Sequence, residues 1–380
     1  MTRSIDLRRL QESLRALAQP LQTRNLLLPN RFAMAPMTRL NSPGGAPTAE
    51  NANHYAARAA GGVGTIITEG ILLDDPSAGF SHRIPRLNAP DSQAGWIALV
   101  QAVKGHGSRI IAQLWHTGGA RGESPSYHPT SAPRSPSGLG LDGERIGPAL
   151  SVDQMERLVG DYAQSAVRAQ QLGFDGVEIH GAHGYLLDEF LWSRTNRRAD
   201  EYGLATRSGT TFPAQVVRAV RAAVGPGYPI LYRFSQWKVG HYDEVNVRTP
   251  DQLEALLAPL IEAGVDVFHV SARRHWTATF GEETTLAGWT RRVSGLPVIA
   301  VGSVGIESQF GESVSERQVD LEGHCLRLTS SFEKGEFDVI AIGRALLGDP
   351  GLINKILNGD YAGVQIYKKQ GSSRSKPRTA

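Results

Sequence analysis

The chain has 380 residues, of which 41% are hydrophobic and 20% are charged, so it has enough apolar side chains for a large core. Its one cysteine, Cys325, excludes a disulfide framework, a cysteine-ligated zinc site and an iron–sulfur cluster, because each needs several thiolates. No apolar run reaches the roughly 18 residues of a membrane-spanning helix. We predict a cytoplasmic protein with no membrane partner and no metal.

Basic and acidic side chains nearly balance, 40 against 37. The basic excess lies at the C-terminal end, and without it the rest of the chain is close to neutral. A nucleic-acid-binding protein would carry the excess on its folded part, so we predict no nucleic-acid partner and a disordered basic tail over residues 367–380. The basic residues of this tail are Lys368, Lys369, Arg374, Lys376 and Arg378.

Residues 1–17 form the first predicted element. Arginines among its leucines also fit an amphipathic transit peptide, but Asp6 and Glu12 count against that alternative. We predict an N-terminal extension that folds as a short helix under the main domain. The leucines at the spacing of one helix face are Leu7, Leu10, Leu14 and Leu17.

Short β-branched apolar runs recur along the chain, and most are followed by an amphipathic helical pattern. Near-continuous apolar runs of this length are typical of parallel strands that are buried on both faces. Eight such units predict an α/β fold, a (β/α)8 TIM barrel that forms one domain over residues 18–366. The eight runs are 31–37, 63–69, 109–115, 176–180, 229–235, 265–271, 297–303 and 338–344.

Two helical segments begin with the residue spacing of a capping box, Ser151 to Gln154 and Thr249 to Gln252. Two other stretches interrupt the alternation of strands and helices. Residues 117–150 follow the third strand and are rich in Pro, Ser and Gly, and residues 305–336 lie between the seventh and eighth strands. We predict both as long loops, the first lying over the barrel mouth.

Polar residues cluster where the strands end, which is where barrels of this class carry their functional residues. Gly302-Ser303 after the seventh strand and Gly343-Arg344 after the eighth leave backbone N–H groups open to a phosphate. Arg233 lies within an apolar strand, where a charge is costly unless it is paired. We therefore expect either a carboxylate partner or an anionic ligand beside Arg233.

His180, His183 and Tyr185 lie at the end of the fourth strand. Two imidazoles this close allow a zinc site, but a catalytic zinc needs a third protein ligand and the His-Glu-x-x-His helix pattern is absent. The pair also fits an oxyanion hole, with two donors to an oxygen that gains negative charge, while Tyr185 supplies a phenolic proton. A further alternative is that one histidine is a core residue.

Two more strand-end residues and one glycine cluster bear on cofactor binding. Gln113 both donates and accepts hydrogen bonds, which suits the edge of a planar heterocycle, and Thr38 either contacts a ligand or caps the next turn. Residues 61–64 contain three glycines but precede a strand, so they lack the context of a dinucleotide-binding fingerprint. If a pyridine nucleotide is used, no dedicated Rossmann fold holds it.

Seven stretches of the chain, in the family order, resemble the Old Yellow Enzyme family of FMN-dependent ene-reductases. They extend over most of the chain, and the fourth is long and specific. The stretches are NRFAMAPMTR (30–39), YAARAAGGVGTIITEG (55–70), IIAQLWHTG (110–118), GFDGVEIHGAHGYLLDEFLWSRTNRRADEYG (173–203), YRFSQWK (232–238), PVIAVGSVG (297–305) and FDVIAIGRALLGDP (337–350).

The resemblance implies bound FMN across the strand ends, with NAD(P)H as a transient hydride donor. It also implies which residues contact the cofactor. These are Pro36, Met37 and Thr38 at the flavin edge, Gly70 and Gln113 at the pyrimidine side, Arg233 near N1 and the phosphate tail, and Gly302, Ser303, Gly343 and Arg344 at the phosphate.

By the same resemblance, His180 and His183 bind the activating oxygen of the substrate and Tyr185 is the proton donor. The implied reaction is the reduction of the C=C bond of an α,β-unsaturated carbonyl compound, with hydride from flavin N5 and a proton from Tyr185. Many yeast and plant members have Asn where this chain has the second histidine. Both pairs supply two donors, so the predicted role is the same.

Substrate contacts are less well defined, because residues 117–150 match the family poorly. We predict that four aromatic or basic residues near the mouth shape the specificity for substrate or nicotinamide. They are Trp115, Arg273, His275 and Trp276. Larger relatives append an iron–sulfur and a nucleotide domain, which the length and the single cysteine lead us not to expect here.

Two other functions stay open. Similar barrels oxidatively demethylate N-methyl amines or betaines with the same cofactor. A flavin-free, phosphate-binding lyase or isomerase is the third alternative, although such enzymes usually need a Schiff-base lysine or metal-binding carboxylates at the strand ends, and neither is evident. We expect a small-molecule enone as the partner and leave open whether the chain forms a homo-oligomer.

Overall fold

The computed structural model describes residues 2–122, 127–307, 319–365 and 367. A closed barrel of eight parallel strands lies at its centre, in which each strand pairs with the next and the last pairs with the first. A ninth strand of two residues, Ile71–Leu72, pairs in parallel with the third barrel strand and belongs to the same sheet. The predicted (β/α)8 barrel is confirmed. The strands are β1 (Phe32–Met34), β2 (Thr65–Ile67), β3 (Arg109–Trp115), β4 (Gly176–His180), β5 (Ile230–Ser235), β6 (Val267–Ser271), β7 (Val298–Val301) and β8 (Val339–Ile342).

Helices surround the barrel, and most of them connect one strand to the next. No helix in the described ranges is both long enough and apolar enough to cross a membrane. The helices are α1 (Thr2–Leu17), α2 (Ala49–Ala60), α3 (Ser92–Lys104), α4 (Val152–Gln171), α5 (Leu186–Glu189), α6 (Thr211–Val224), α7 (Pro250–Ala263), α8 (Leu286–Ser294), α9 (Leu321–Glu333), α10 (Arg344–Gly348) and α11 (Leu352–Leu357).

Several strands are shorter than the predicted apolar runs, and β1 has a clear reason. The run 31–37 was predicted to be a strand, but β1 ends at Met34. The Ala35 N–H still donates to the carbonyl of Ile342, at 2.9 Å. Pro36 has no N–H to donate, so the ladder cannot continue and the chain turns over the barrel mouth.

The barrel interior is filled with apolar side chains at the N-terminal ends of the strands. A two-stranded hairpin, with Leu21–Gln22 paired to Leu27–Leu28, precedes β1. Its Leu26 and Leu28 are buried in the same cluster as strand residues that point inward. The N-terminal end is thereby closed. Ala35, just after β1, also belongs to this cluster, and its strand residues are Ala33, Ile67, Ile111, Leu231, Val267, Ile299, Val339 and Ala341.

Helix α1 packs against the barrel, as the leucine spacing predicts. Leu10, Leu14 and Leu17 are at most 1% exposed and belong to the main core cluster. The Arg31 N–H donates to the carbonyl of Leu17, which ties the end of α1 to the start of β1. The division into an extension at residues 1–17 and a barrel domain at 18–366 stays a prediction.

The two predicted capping boxes differ in outcome. At α4, the side chain of Ser151 accepts from the N–H of Gln154, and the side chain of Gln154 accepts from the N–H of Ser151. At α7, Thr249 accepts from the N–H of Gln252, but the side chain of Gln252 accepts from Arg248 instead, at 2.8 Å. The second box is therefore half formed.

The loop after β3 is long, as predicted, and two arginines organise it. Beyond a short 3-10 turn at Gly118–Arg121, the described part of residues 117–150 has no helix. Arg121 donates to the carbonyls of Gly79, Tyr127 and Ser131. Arg198 donates to the carbonyls of Pro136 and Leu150.

The stretch between β7 and β8 is not a loop throughout, and that part of the prediction is wrong. Helix α9 occupies residues 321–333, and Asp320 caps it by accepting the N–H of Gly323. Leu321, Cys325 and Leu328 form its buried face, which makes α9 the helix of the seventh βα unit. The predicted basic tail at residues 368–380 lies outside the described residues.

Candidate active site

A cavity of about 460 Å³ opens at the C-terminal ends of the strands, within the usual size of a small-molecule site. The structure brings most of the predicted site residues together around it. Those that line it are Pro36, Met37, Thr38, Gln113, Trp115, His180, His183, Tyr185, Arg233, Arg273, Gly302, Ser303, Gly343 and Arg344.

Two imidazoles and a phenol converge in this cavity. His180 is the last residue of β4, and the ring of His183 lies 5.1 Å from it, centroid to centroid, at 90°. The ring of Tyr185 lies 5.0 Å from His180 and 6.3 Å from His183. Within the part of the chain that the structure describes, no group of three or more His, Cys, Asp or Glu residues could hold a metal ion.

Hydrogen bonds assign the proton position on His180 and restrict the contacts of His183. His180 Nδ1 accepts from the N–H of Ala182 at 3.3 Å, so the neutral ring carries its proton on Nε2. His183 Nε2 lies 2.8 Å from Ser271 Oγ, and Ser271 Oγ also accepts from Arg233 Nη2 at 3.4 Å. Ser271 Oγ has a second lone pair, so it can either donate to or accept from His183 Nε2. Donation by Ser271 would place the His183 proton on Nδ1.

Burial sets the charge states of these three groups. Burial, followed by the positive charge of Arg233, lowers the pKa of His180 and of His183 well below 6.5. Both rings are therefore neutral at pH 7. Burial raises the pKa of Tyr185 to about 12, with Arg233 acting in the opposite direction. The phenol thus keeps its proton at neutral pH and lies beside a cation that stabilises the phenolate.

A buried polar layer lies next to the cavity. Glu178 Oε1 accepts from Gln113 Nε2 at 2.7 Å, and Glu178 Oε2 lies 2.6 Å from His269 Nδ1. Burial opposes ionisation of Glu178, but His269, Arg233 and Gln113 together hold the pKa of its carboxyl below the usual value. Because Gln113 uses one N–H on Glu178, its carbonyl oxygen and second N–H remain for a ligand.

Arg233 is 6% exposed, and its charge has no ion-pair partner among the described residues. Among the described residues no carboxylate lies within 4.0 Å of its guanidinium group, and its Nε has no hydrogen-bond partner. A structural ion pair was one of the two alternatives for Arg233, and it is not formed. The described lining of the cavity contains no Asp or Glu. A planar, anionic cofactor such as FMN fits this surplus of positive charge.

The ends of β7 and β8 offer backbone to a phosphate. Gly302 has no room for a side chain, because a Cβ would lie 2.7 Å from the His275 nitrogen and 2.8 Å from the Ala272 oxygen. Ser303 follows with a left-handed φ of 53°. Gly343 precedes Arg344, the first residue of α10. These two turns line the same cavity.

Three predicted residues do not line the cavity. A Cβ on Gly70 would lie 2.4 Å from the indole of Trp115, so Gly70 packs behind that ring. His275 is 2% exposed and its ring packs edge-on against Trp276 and Phe337. Trp276 lies beside His324, away from the cavity. Their predicted contacts with cofactor or substrate stay predictions.

Sequence reasoning missed several residues of the cavity wall, among them Trp237, Ser271 and Tyr367. Trp237 lies just after β5 and Ser271 is the last residue of β6, and both line the cavity. Their position at strand ends was the signal that could have identified them. Tyr367 also lines the cavity, although it was assigned to the disordered tail. The N–H of Gln365 donates to Asp349 at 2.8 Å, which holds the preceding segment against the barrel.

Known proteins are similar to this chain in sequence and fold. The sequence profile of the NADH:flavin oxidoreductase / NADH oxidase family matches residues 16–325.

The chain belongs to this NADH:flavin oxidoreductase / NADH oxidase family. NADH oxidase from Thermoanaerobacter brockii is 33% identical over 339 residues, which are 86% of this chain and 48% of that enzyme. 12-Oxophytodienoate reductase 7 from Oryza sativa subsp. japonica is 30% identical over 376 residues, 93% of this chain and 90% of that protein. The solved structure of the old yellow enzyme homologue from Zymomonas mobilis has a TM-score of 0.71 at 28% identity, covering 90% of this chain and 93% of that one.

Membership of the NADH:flavin oxidoreductase / NADH oxidase family confirms the resemblance to Old Yellow Enzyme and the predicted FMN cofactor. It is not consistent with a flavin-free lyase or isomerase. The chain spans about half the length of some curated relatives, such as the Thermoanaerobacter enzyme at 48%, and nine tenths of others, such as the rice reductase at 90%.

Proposed function

We propose that this protein is an FMN-dependent ene-reductase that uses NAD(P)H to reduce the C=C bond of α,β-unsaturated carbonyl compounds. One observation carries the proposal: two neutral imidazoles and a protonated phenol meet in a cavity that is rich in arginine. These are the groups needed to polarise a carbonyl and to protonate a carbon.

The cofactor is expected along the strand ends. Arg233 and Gln113 would hold the pyrimidine edge, and Pro36, Met37 and Thr38 the other edge. Bound FMN would supply the hydride chemistry, between NAD(P)H as the donor and the β-carbon of the enone as the acceptor. The phosphate would lie on the turns after β7 and β8, at Gly302, Ser303, Gly343 and Arg344.

The histidine pair would bind the carbonyl oxygen of the substrate. The Nε2–H of His180 is a free ring donor, and His183 would supply the second donor from Nδ1 when Ser271 donates to its Nε2. Two donors at one oxygen stabilise the negative charge that develops there as hydride reaches the β-carbon. Because both rings are neutral, they act as donors without transferring a proton.

Tyr185 would complete the addition by giving its proton to the α-carbon. Its raised pKa keeps the phenol protonated before the step. After the step the oxygen is negatively charged, and Arg233 stabilises that charge. One hydride and one proton are thereby added across the C=C bond, and the phenolate regains its proton from water.

The test is a pair of half-reactions. The FMN-loaded protein is reduced without oxygen by NADH or NADPH and then mixed with 2-cyclohexen-1-one, and the flavin spectrum is followed. Rapid reoxidation with formation of the saturated ketone is the expected result. Reduction of oxidised protein by an N-methyl amine or a betaine, with no reoxidation by the enone, would instead identify an oxidative demethylase.

A further inference from the structure

Lys238 and Asp188 form an ion pair that is completely buried. Both side chains are fully excluded from solvent, and Lys238 Nζ lies 2.9 Å from both carboxylate oxygens. A buried ion pair is often no more stabilising than apolar residues of the same volume, because both charges lose their hydration. Stability alone therefore does not explain this pair, and its role lies in what its two ends hold.

The carboxylate end holds the loop after β4. Asp188 Oδ2 accepts from the N–H of Gly184 at 2.7 Å, and Asp188 Oδ1 accepts from Asn246 Nδ2 at 3.2 Å. The ammonium end holds the segment after β5, since Lys238 Nζ donates to the carbonyl of Gln236 at 3.1 Å. The loop after β4 carries His183 and Gly184, and we call it the histidine loop. The ion pair thus joins the histidine loop to residues 235–239, which we call the clamp segment.

The clamp segment binds both backbone polar groups of His183. The N–H of Val239 donates to the His183 carbonyl at 3.0 Å. The His183 N–H donates to Ser235 Oγ at 2.9 Å, and the Ser235 hydroxyl in turn donates to the carbonyl of Trp237 at 2.7 Å. The position of His183 therefore depends on the position of the clamp segment.

His183 needs such support because its backbone is left-handed. Its φ is 67°, and that of Gly184 is 79°. A residue with a side chain adopts this conformation only where the surrounding structure requires it. The hydrogen bonds from the clamp segment to His183, and the hydrogen bond from Gly184 to Asp188, hold the backbone in this conformation.

We propose that the buried Lys238–Asp188 pair is a positioning device, which locks the clamp segment onto the histidine loop and so fixes His183 in its ligand-binding geometry. Neither residue lines the cavity, so both act through others. The inference rests on the proposed function, in which His180 and His183 bind the oxygen of the ligand.

The test uses a double variant, Lys238→Met with Asp188→Leu, because apolar replacements of similar volume avoid an uncompensated buried charge. The FMN-loaded protein is titrated with p-hydroxybenzaldehyde, and the charge-transfer band gives the Kd. FMN is expected to stay bound, while the Kd for the phenol rises about tenfold, equivalent to losing one good hydrogen bond. The single Lys238→Met variant is expected to show at least as large an effect.

A second ion pair serves as the matched control. Arg221 and Asp266 lie at the opposite end of the barrel, where Asp266 accepts from the N–H of Ile230 at the start of β5. Arg221→Met with Asp266→Leu is expected to change the free energy of unfolding but to leave the Kd for the phenol unchanged. This separates positioning from a general loss of stability.

The outcomes distinguish this inference from the proposed function. A wild-type Kd and an unchanged charge-transfer band in the Lys238–Asp188 double variant, with a raised Kd in a His180→Ala/His183→Ala variant, would overturn the positioning role alone. A wild-type Kd in both would overturn the proposed anion site as well. A raised Kd in the control variant equal to that of the test variant also contradicts the inference.

Discussion

Trp237 lies flat against His183, with their ring centroids 4.2 Å apart and their planes 25° apart. The indole N–H of Trp237 donates to the carbonyl of Ser271 at 3.1 Å, and the hydroxyl of Ser271 contacts His183 Nε2. Ser271 therefore fixes both rings of the stack. The indole also covers one face of the imidazole, which keeps water away and favours the neutral ring.

We expect the stability of the protein to fall in mild acid, because several buried histidines have lowered pKa values. His116, His180, His183 and His269 are buried, and burial is the main cause in each. Below pH 6.5 the unfolded chain binds more protons than the folded chain, so the free energy of unfolding decreases as pH falls, by about 1.4 kcal/mol per pH unit for each proton. Urea unfolding between pH 7.5 and 5 measures this slope.

His54 provides a test of how much one buried histidine outside the site contributes to this pH dependence. It lies on α2, outside the cavity lining, and burial lowers its pKa to about 3. A His54→Gln variant is expected to show a shallower pH dependence of the unfolding free energy than the wild type. A wild-type stability that does not change between pH 7.5 and 5 would contradict the buried, neutral state of these rings.

Replacing Tyr185 by Phe should separate the two half-reactions. A general acid contributes roughly 10²- to 10⁴-fold to a rate, so enone-dependent reoxidation of the reduced flavin should slow by about that factor. Flavin reduction by NAD(P)H needs no phenolic proton and should be largely unaffected. Stopped-flow traces of both half-reactions check this, and equal losses in both would refute the role of Tyr185 as the proton donor.

Removing both imidazoles should weaken the binding of phenol-type ligands. Two hydrogen bonds to a charged oxygen contribute about 1.5–3 kcal/mol each, so the Kd of a phenol should rise at least about 100-fold in the His180→Ala/His183→Ala variant. Titration of the charge-transfer band measures it. His241→Ala, at a histidine outside the cavity lining, is the control and should retain the wild-type Kd.

The enone half-reaction should be independent of pH over most of the accessible range. Tyr185 has a pKa raised to about 12, so the phenol stays protonated from pH 6 to pH 10, and the two histidines stay neutral over the same range. Rates of reoxidation by 2-cyclohexen-1-one, measured across this interval, should be constant. A loss of rate with a midpoint near pH 8 would place the titrating donor elsewhere.

Helix α1 should contribute to the stability of the barrel but not to its chemistry. Leu14 is completely buried in the main core cluster, and truncating such a leucine to Ala costs about 2–5 kcal/mol. Leu326, which is 38% exposed on α9, is the control, and Leu326→Ala should change stability by about 0.5 kcal/mol or less. Urea unfolding with parallel turnover assays checks both, and an unaltered unfolding free energy in Leu14→Ala would show that α1 is dispensable.

The barrel could be predicted from the sequence because each strand is buried on both faces and therefore reads as a continuous apolar run. The residues at which the strands end could not be predicted as accurately as the existence of the strands. The run at residues 31–37 continues in hydrophobicity past the point where Pro36 ends the hydrogen-bond ladder. Helix α9 was missed because its buried face, at Leu321, Cys325 and Leu328, is interrupted by polar residues and follows a long stretch without helical spacing.

The site residues at strand ends could be predicted because the barrel brings all eight ends to one mouth. Site residues in the loops that follow the strands could not be predicted in this way. Arg273 and His275 are two positions apart, yet Arg273 lines the cavity while His275 is buried outside its lining. The stacking of Trp237 on His183 joins two loops that are distant in sequence, and spacing along the chain does not reveal such a contact.

The leucine-filled hairpin below the barrel has a kinetic consequence. Leu26 and Leu28 close the N-terminal end of the interior, so in the described structure the cavity is reached from the mouth, where the strands end. In the proposed reaction the electron donor and the electron acceptor would then share one volume and occupy it in turn. Initial rates measured against both substrates would give parallel double-reciprocal lines, and each substrate at high concentration would compete with the other.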